Sequence, residues 1–155
     1  MARAIPVDAV EERSGSAYPE PFRASVAGRH VRRLGDALGL GQFGVNLVRL
    51  SPGAASALRH AHSAEDEFVL VLEGVLTLVT DDGEQEVGPG MAVGVPAGTG
   101  DAHHLVNRSD SLGLFPVVGT RATERDVVTY PDDDLRAEPG PDGGRRFTRA
   151  DGTPW

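Results

Sequence analysis

From Phe43 onward the sequence breaks into short runs rich in Val, Leu and Phe, divided by Gly, Pro and Asp clusters every 8 to 12 residues or so. A helix would need an apolar stripe with a period of about 3.6 residues, and none persists beyond two turns. Runs of this length, closed by turn residues, are strands of a sandwich or barrel. Phe43, Val45 and Leu47 alternate with Gly44, Asn46 and Val48, and a turn follows at Ser51–Ser56. Phe68–Leu72 and Val75–Thr80 flank Glu73-Gly74, and the Asp-Gly pair within Asp81–Glu84 signals a hairpin. After a turn at Gly88–Gly90, strands are expected at Met91–Val95, from His103 towards Asn107, and at Leu112–Thr120, where Pro116 marks an edge or bulge.

A chain of 155 residues suits one domain. Its expected parts are an N-terminal arm at 1–30, a barrel at 31–130 and a C-terminal tail at 131–155 packing on the barrel. "YPEPF" (Tyr18–Phe22) reads as extended because each proline disfavours helix in the residue before it. Val31–Leu40 allows at most a helical turn, broken by Gly35 and Gly39. Past Tyr130, "PDDDL" and "EPGPDGGRR" read as surface segments, with Phe147 and Trp155 docking the chain's end.

Composition removes several kinds of chemistry. There is no Cys, which excludes disulfides, thiolate nucleophiles and Cys-based metal centres. All 15 basic residues are Arg, so Schiff-base catalysis through Lys is excluded too. A net charge of −8 argues against binding nucleic acid or anionic membranes. No apolar stretch approaches the roughly 20 residues that span a bilayer, and the N-terminus lacks a secretory core, so a cytoplasmic location is expected.

What remains is His, carboxylate, hydroxyl and Arg, and the histidines cluster. His60 and His62 lie two apart in "RHAHSAEDEFVLVLEG" (residues 59–74), so in a strand their rings share one face. Glu67 has the wrong parity for a continuous strand, but a bend through "SAED" would return it beside the pair. A carboxylate heading an apolar strand costs several kcal/mol if buried alone, and a divalent cation on two imidazoles would offset that. "DAHHLVN" offers a fourth ligand; His103 and His104 face opposite ways, so at most one joins directly.

These residues resemble the two motifs of the cupin superfamily, G-x5-H-x-H-x3,4-E-x6-G and G-x5-P-x-G-x2-H-x3-N. Gly53, His60, His62, Glu67 and Gly74 match the first, and Gly90, Pro96, Gly98, His103 and Asn107 the second. Six rather than five residues separate Gly53 from His60, and four rather than two separate Gly98 from His103. Both additions fall in turns. The resemblance spans roughly residues 43 to 120, and its Asn107 spacing selects His103 over His104.

The resemblance implies an all-β fold, a double-stranded β-helix (jelly-roll) barrel with N- and C-terminal extensions. It implies one divalent transition metal ion, Mn, Fe, Co, Ni or Zn, on His60, His62, Glu67 and His103. One or two coordination positions would stay open, as isomerases, cyclases and oxygenases of this fold require. Two readings follow: a metal-dependent enzyme acting on a small molecule held in the barrel, or a noncatalytic binding or sensing protein whose metal is structural or anchors a ligand. Val69, Val71 and Leu105 beside the ligands point to an apolar lining, which favours an uncharged or aromatic substrate over a sugar phosphate. Asn107 is expected to hold a turn, Arg49 and Arg59 to make surface ion pairs, and Asp66 to be exposed. Tyr18 and Tyr130 reach the pocket only if the tails fold over its opening. The arm and open sheet edges, together with the resemblance, imply a homodimer.

Overall fold

The computed structural model describes residues 1–155 and is nearly all β. Thirteen strands follow in chain order: β1 (Glu12–Ser14), β2 (Arg29–Arg33), β3 (Phe43–Leu50), β4 (Ala61–His62), β5 (Glu67–Leu70), β6 (Leu76–Thr80) and β7 (Gly83–Val87), then β8 (Ala92–Val95), β9 (His104–Val106), β10 (Gly113–Thr120), β11 (Val128–Tyr130), β12 (Leu135–Pro139) and β13 (Arg145–Thr148). One antiparallel sheet runs β1-β2-β3-β10-β5-β8. Two smaller sheets, β13-β12-β11-β4 and β7-β6-β9, are stitched to each other by a backbone bridge between His60 and His103. The result is the jelly-roll barrel that the motif resemblance implies.

Alternation on the long strands decides what lies inside. Val48 and Leu50 of β3, Val69 of β5 and Phe115 of β10 are buried and meet Leu76, Val87 and Leu105 of the three-stranded sheet in one core cluster. The opposite parity, Phe43, Val45 and Leu47 with Phe68 and Leu70, therefore faces outward. The turn between β5 and β6 depends on Gly74, at φ +78°, where an added Cβ would sit 2.4 Å from the Leu112 carbonyl oxygen. The hairpin expected at Asp81–Glu84 is present; Thr80 pairs with Gly83, so its tip is Asp81-Asp82.

The chain's two ends add structure that the sequence under-reads. The ambiguous Val31–Leu40 divides into the end of β2 and a single helical turn, α1 (Leu34–Ala37). Tyr18–Phe22, expected to be extended, instead turns at Glu20-Pro21 and runs into a 3₁₀ turn at Phe22–Val26, with Val26 fully buried. β12 and β13 form a hairpin on β11, and Val128, Tyr130, Leu135 and Ala137 make a second small core against Tyr18, Phe22 and Phe147. Trp155 packs edge-on against Phe22 with ring centroids 5.0 Å apart, and its indole donates to the Asp134 carbonyl at 2.7 Å. No helix is long and apolar enough to cross a membrane.

Candidate metal centre

The seam between the two smaller sheets is where the histidines meet. His60 N–H donates to the His103 carbonyl (3.1 Å) and His103 N–H returns the bond (2.8 Å). Residues exchanging both bonds lie directly opposite on antiparallel chain, with side chains on one face. Their rings accordingly stand 4.7 Å apart, and the His62 ring, two residues along, is 5.1 Å from that of His60. After His62 the chain crosses to the other layer, where Glu67 opens β5 with its side chain on the same inner face as Val69. The ligand atoms of His60, His62 and Glu67 all lie within 4.8 Å of one another, and His103 Nε2 is 3.3 Å from Glu67 Oε1. All four candidate ligands thus converge, three from the seam and one from the facing sheet.

Hydrogen bonds prepare the rings. His60 Nδ1 lies 2.7 Å from the Leu58 carbonyl, which can only accept, so Nδ1 carries the proton and Nε2 keeps a lone pair. His62 Nδ1 likewise donates to Asp126 at 2.8 Å. A carboxylate behind an imidazole is the arrangement that fixes metal-binding histidines in tautomer and orientation. His103 has Nδ1 buried without any hydrogen-bond partner, so the protein alone leaves this ring incompletely satisfied. Imidazole nitrogens with one carboxylate form a donor set that suits a first-row divalent ion, and these residues fit one.

Electrostatics agree. Burial, with the His103 ring adding, pulls the His60 pKa down to about 4, so at neutral pH its imidazole is uncharged and free to donate electrons. Burial pushes Glu67 upward, but the hydrogen bond to His103 and the nearby imidazoles outweigh it and hold the carboxyl below its usual value. Asp126 shows the same balance: burial raises it, while His62, the Ala64 N–H and Arg145 together keep it ionised.

Around the cluster is a cavity of about 270 Å³. Val69, Leu105, Phe115 and Val117 supply the expected apolar wall. Tyr18 and Tyr130 both reach it, their rings edge-on at 5.7 Å, because the arm and the C-terminal hairpin do fold over that end. His104 turns away and bonds the Ala57 carbonyl at 2.9 Å. Asn107 is fully buried, donating to the Leu50 and Ser111 carbonyls (2.9 and 2.7 Å) and accepting from Ser109. Arg49 pairs with Glu12, and Arg59 with Asp132 (2.7 Å) and Asp81. Asp66 is exposed and accepts from Ala97 N–H at 2.8 Å.

Four polar residues escape the sequence reading. Asp126 is fully buried and bonded by His62 and by Arg145 (2.7 Å), which also reaches Glu65 at 3.3 Å. Arg29 and Arg145 line the cavity, so its wall is less apolar than Val69 and Leu105 imply. A signal for Asp126 exists: it heads the apolar "DVV" as Glu67 heads "EFV". The two arginines carry none, because nothing local marks them as inward.

The barrel, with three histidines and a carboxylate gathered on its inner wall, defines the class, a small jelly-roll protein. The chain belongs to the cupin superfamily, and residues 46–117 match the cupin domain. It is similar to a cupin-superfamily sugar phosphate isomerase of Silicibacter pomeroyi, at 48% identity over 99% of this chain and 96% of that one, with a TM-score of 0.93. A protein of Acidithiobacillus ferrooxidans described as a sugar phosphate isomerase matches at 31% identity, covering 83% and 80% of the two chains, TM-score 0.75. The polyketide cyclase RemF of Streptomyces resistomycificus shares 26% over 77% and 80%, TM-score 0.63. Among curated proteins, none matches.

Proposed function

We propose that this protein is a metal-dependent enzyme that transforms a small molecule held in the barrel, with isomerisation favoured over cyclisation or oxygenation. The observation that carries this reading is the convergence of His60, His62 and Glu67 within 4.8 Å, with His103 beside them, on the wall of the cavity. The isomerase description of a relative 48% identical over nearly the full length supports the choice of reaction. The four residues would hold one Mn, Fe, Co, Ni or Zn ion, which when bound polarises a carbonyl or acidifies water. Phe115, Val117 and Leu105 give the reacting atoms an apolar surround. Burial raises the phenol pKa of both Tyr18 and Tyr130, so each stays protonated beside the cavity.

A second reading, a binding or sensing protein with an anchoring metal, is favoured by one observation. Apart from the cluster itself, the cavity wall holds no carboxylate or imidazole to serve as a base. Metal analysis decides the shared premise. The protein should carry or take up one ion per chain, and a variant with both His60→Ala and His62→Ala should not; a wild type that neither holds nor regains metal contradicts both readings. Turnover of aldose or ketose phosphates by the reloaded protein then separates enzyme from sensor.

A homodimer and a cytoplasmic location belong to the same reading. The outward face of the six-stranded sheet, with Phe43, Phe68 and Leu72 at 40%, 44% and 45% exposure, carries Val45, Leu47, Leu70 and Val118 between them. An apolar face needs no complementary charge to pack on its own two-fold copy, and contiguous exposed apolar patches mark interaction sites.

A further inference from the structure

Arg29 is the cavity's unexplained group. It projects from β2 on the inner face, since it pairs with buried Leu50, whose parity runs through β10 to Glu67 on β5. Its Nε is buried without a hydrogen-bond partner, and its guanidinium makes no ion pair, although most other arginines of the chain do. Burial depresses its pKa, with no carboxylate close enough to compensate fully. A cation partly withdrawn from water and left unpaired costs free energy, and Arg is the side chain whose planar fork matches carboxylate and phosphate. Arg29 also lines an outer groove together with Arg13, Arg33, Arg121 and a single acid, Asp36. In a chain of net charge −8, this groove is a local cationic approach that ends on Arg29.

We infer that Arg29 anchors an oxyanion group, carboxylate or phosphoryl, of the substrate, an inference that rests on the reading of the cavity as a substrate site. The substrate is thus a small anionic molecule. One end is gripped by Arg29 and the other is presented to the His/Glu cluster, between the Tyr18 and Tyr130 hydroxyls and the apolar wall. This replaces the uncharged or aromatic substrate that the strand residues alone favour.

The test uses chelator-stripped protein at pH 8, so that no ion can hold the probe. Inorganic phosphate and glycolate are titrated calorimetrically into wild type, Arg29→Met and Arg29→Lys. Wild type should bind one of the two, and which one binds tells phosphoryl from carboxylate. Arg29→Met should weaken that binding roughly 10- to 100-fold, the worth of one charge-assisted contact. Arg29→Lys should fall between. Without anion, Arg29→Met should melt at or above the wild-type temperature, because an unpaired, half-buried charge has been removed. If wild type binds neither probe, if Arg29→Met binds as wild type does, or if that variant melts lower or fails to fold, Arg29 is structural and the inference is overturned. Metal uptake by all three, measured separately, should be equal; its absence in wild type would sink the metal reading and leave the anion result standing.

Discussion

Asp126 is the residue whose loss should reveal how the cluster is held. Its Oδ2 accepts from His62 Nδ1 (2.8 Å) and Arg145 Nη2 (2.7 Å), and its Oδ1 from Ala64 N–H (2.8 Å). In Asp126→Asn one of these oxygens becomes an NH₂ donor. Facing it towards His62 and Arg145 would oppose two donors, so the amide should turn to keep its oxygen there and forfeit the Ala64 bond. The negative charge that balances Arg145 is gone in either orientation. One lost charge-assisted bond and a weakened buried pair together cost about 3 kcal/mol. In a chain of this size that is a fall of roughly 6–12 °C in Tm. With the acceptor neutral, His62 is a poorer and less fixed ligand, and metal affinity should drop roughly 10- to 100-fold. Competition against a chromophoric chelator measures the affinity, and a metal-free melt measures the stability. If Asp126→Asn folds and binds metal as tightly as wild type, the claim that Asp126 orients His62 is wrong.

Other consequences are as direct. Gly74→Ala must adopt φ +78° and place a methyl 2.4 Å from the Leu112 carbonyl oxygen, so it should cost about 3 kcal/mol or more in a denaturant titration. His104→Ala should leave metal stoichiometry unchanged on elemental analysis, since that ring bonds the Ala57 carbonyl outside the cluster. Glu12 has its pKa lowered by the hydrogen bond from Arg49, with burial opposing and Arg32 adding. A carboxyl depressed on folding stabilises above its unfolded value of about 4.5 and loses that contribution as pH falls through the folded one. Docking of β1 should therefore loosen under acid, and limited proteolysis of residues 1–14 should show Glu12→Gln already loose at neutral pH.

How far the sequence foretold this molecule depends on the distance over which each signal acts. Alternation is local, so the strands between Phe43 and Thr120 and the shared face of His60 and His62 could be read directly. Glu67 was legible as an acid that must find a partner, and its path into the facing sheet follows from the bend at "SAED". Which parity faces inward is not local. Phe43, Val45 and Leu47 look like core yet lie outside, while the inner positions of β2 include Arg29. Arg145 and Asp126 meet at 2.7 Å across 19 residues, and Asp126 meets His62 across 64. Such contacts leave no spacing to recognise. The C-terminal hairpin is polar and glycine-rich along its length, and it becomes sheet because β11 offers it an edge.

Anomalous diffraction from crystals grown with a divalent transition metal tests the central claim most directly. One peak per chain is expected, bonded to His60 Nε2, His62 Nε2, His103 and a Glu67 oxygen at roughly 2.0–2.2 Å. No peak there, or an ion seated instead between His62, Glu65 and Asp126, would contradict it.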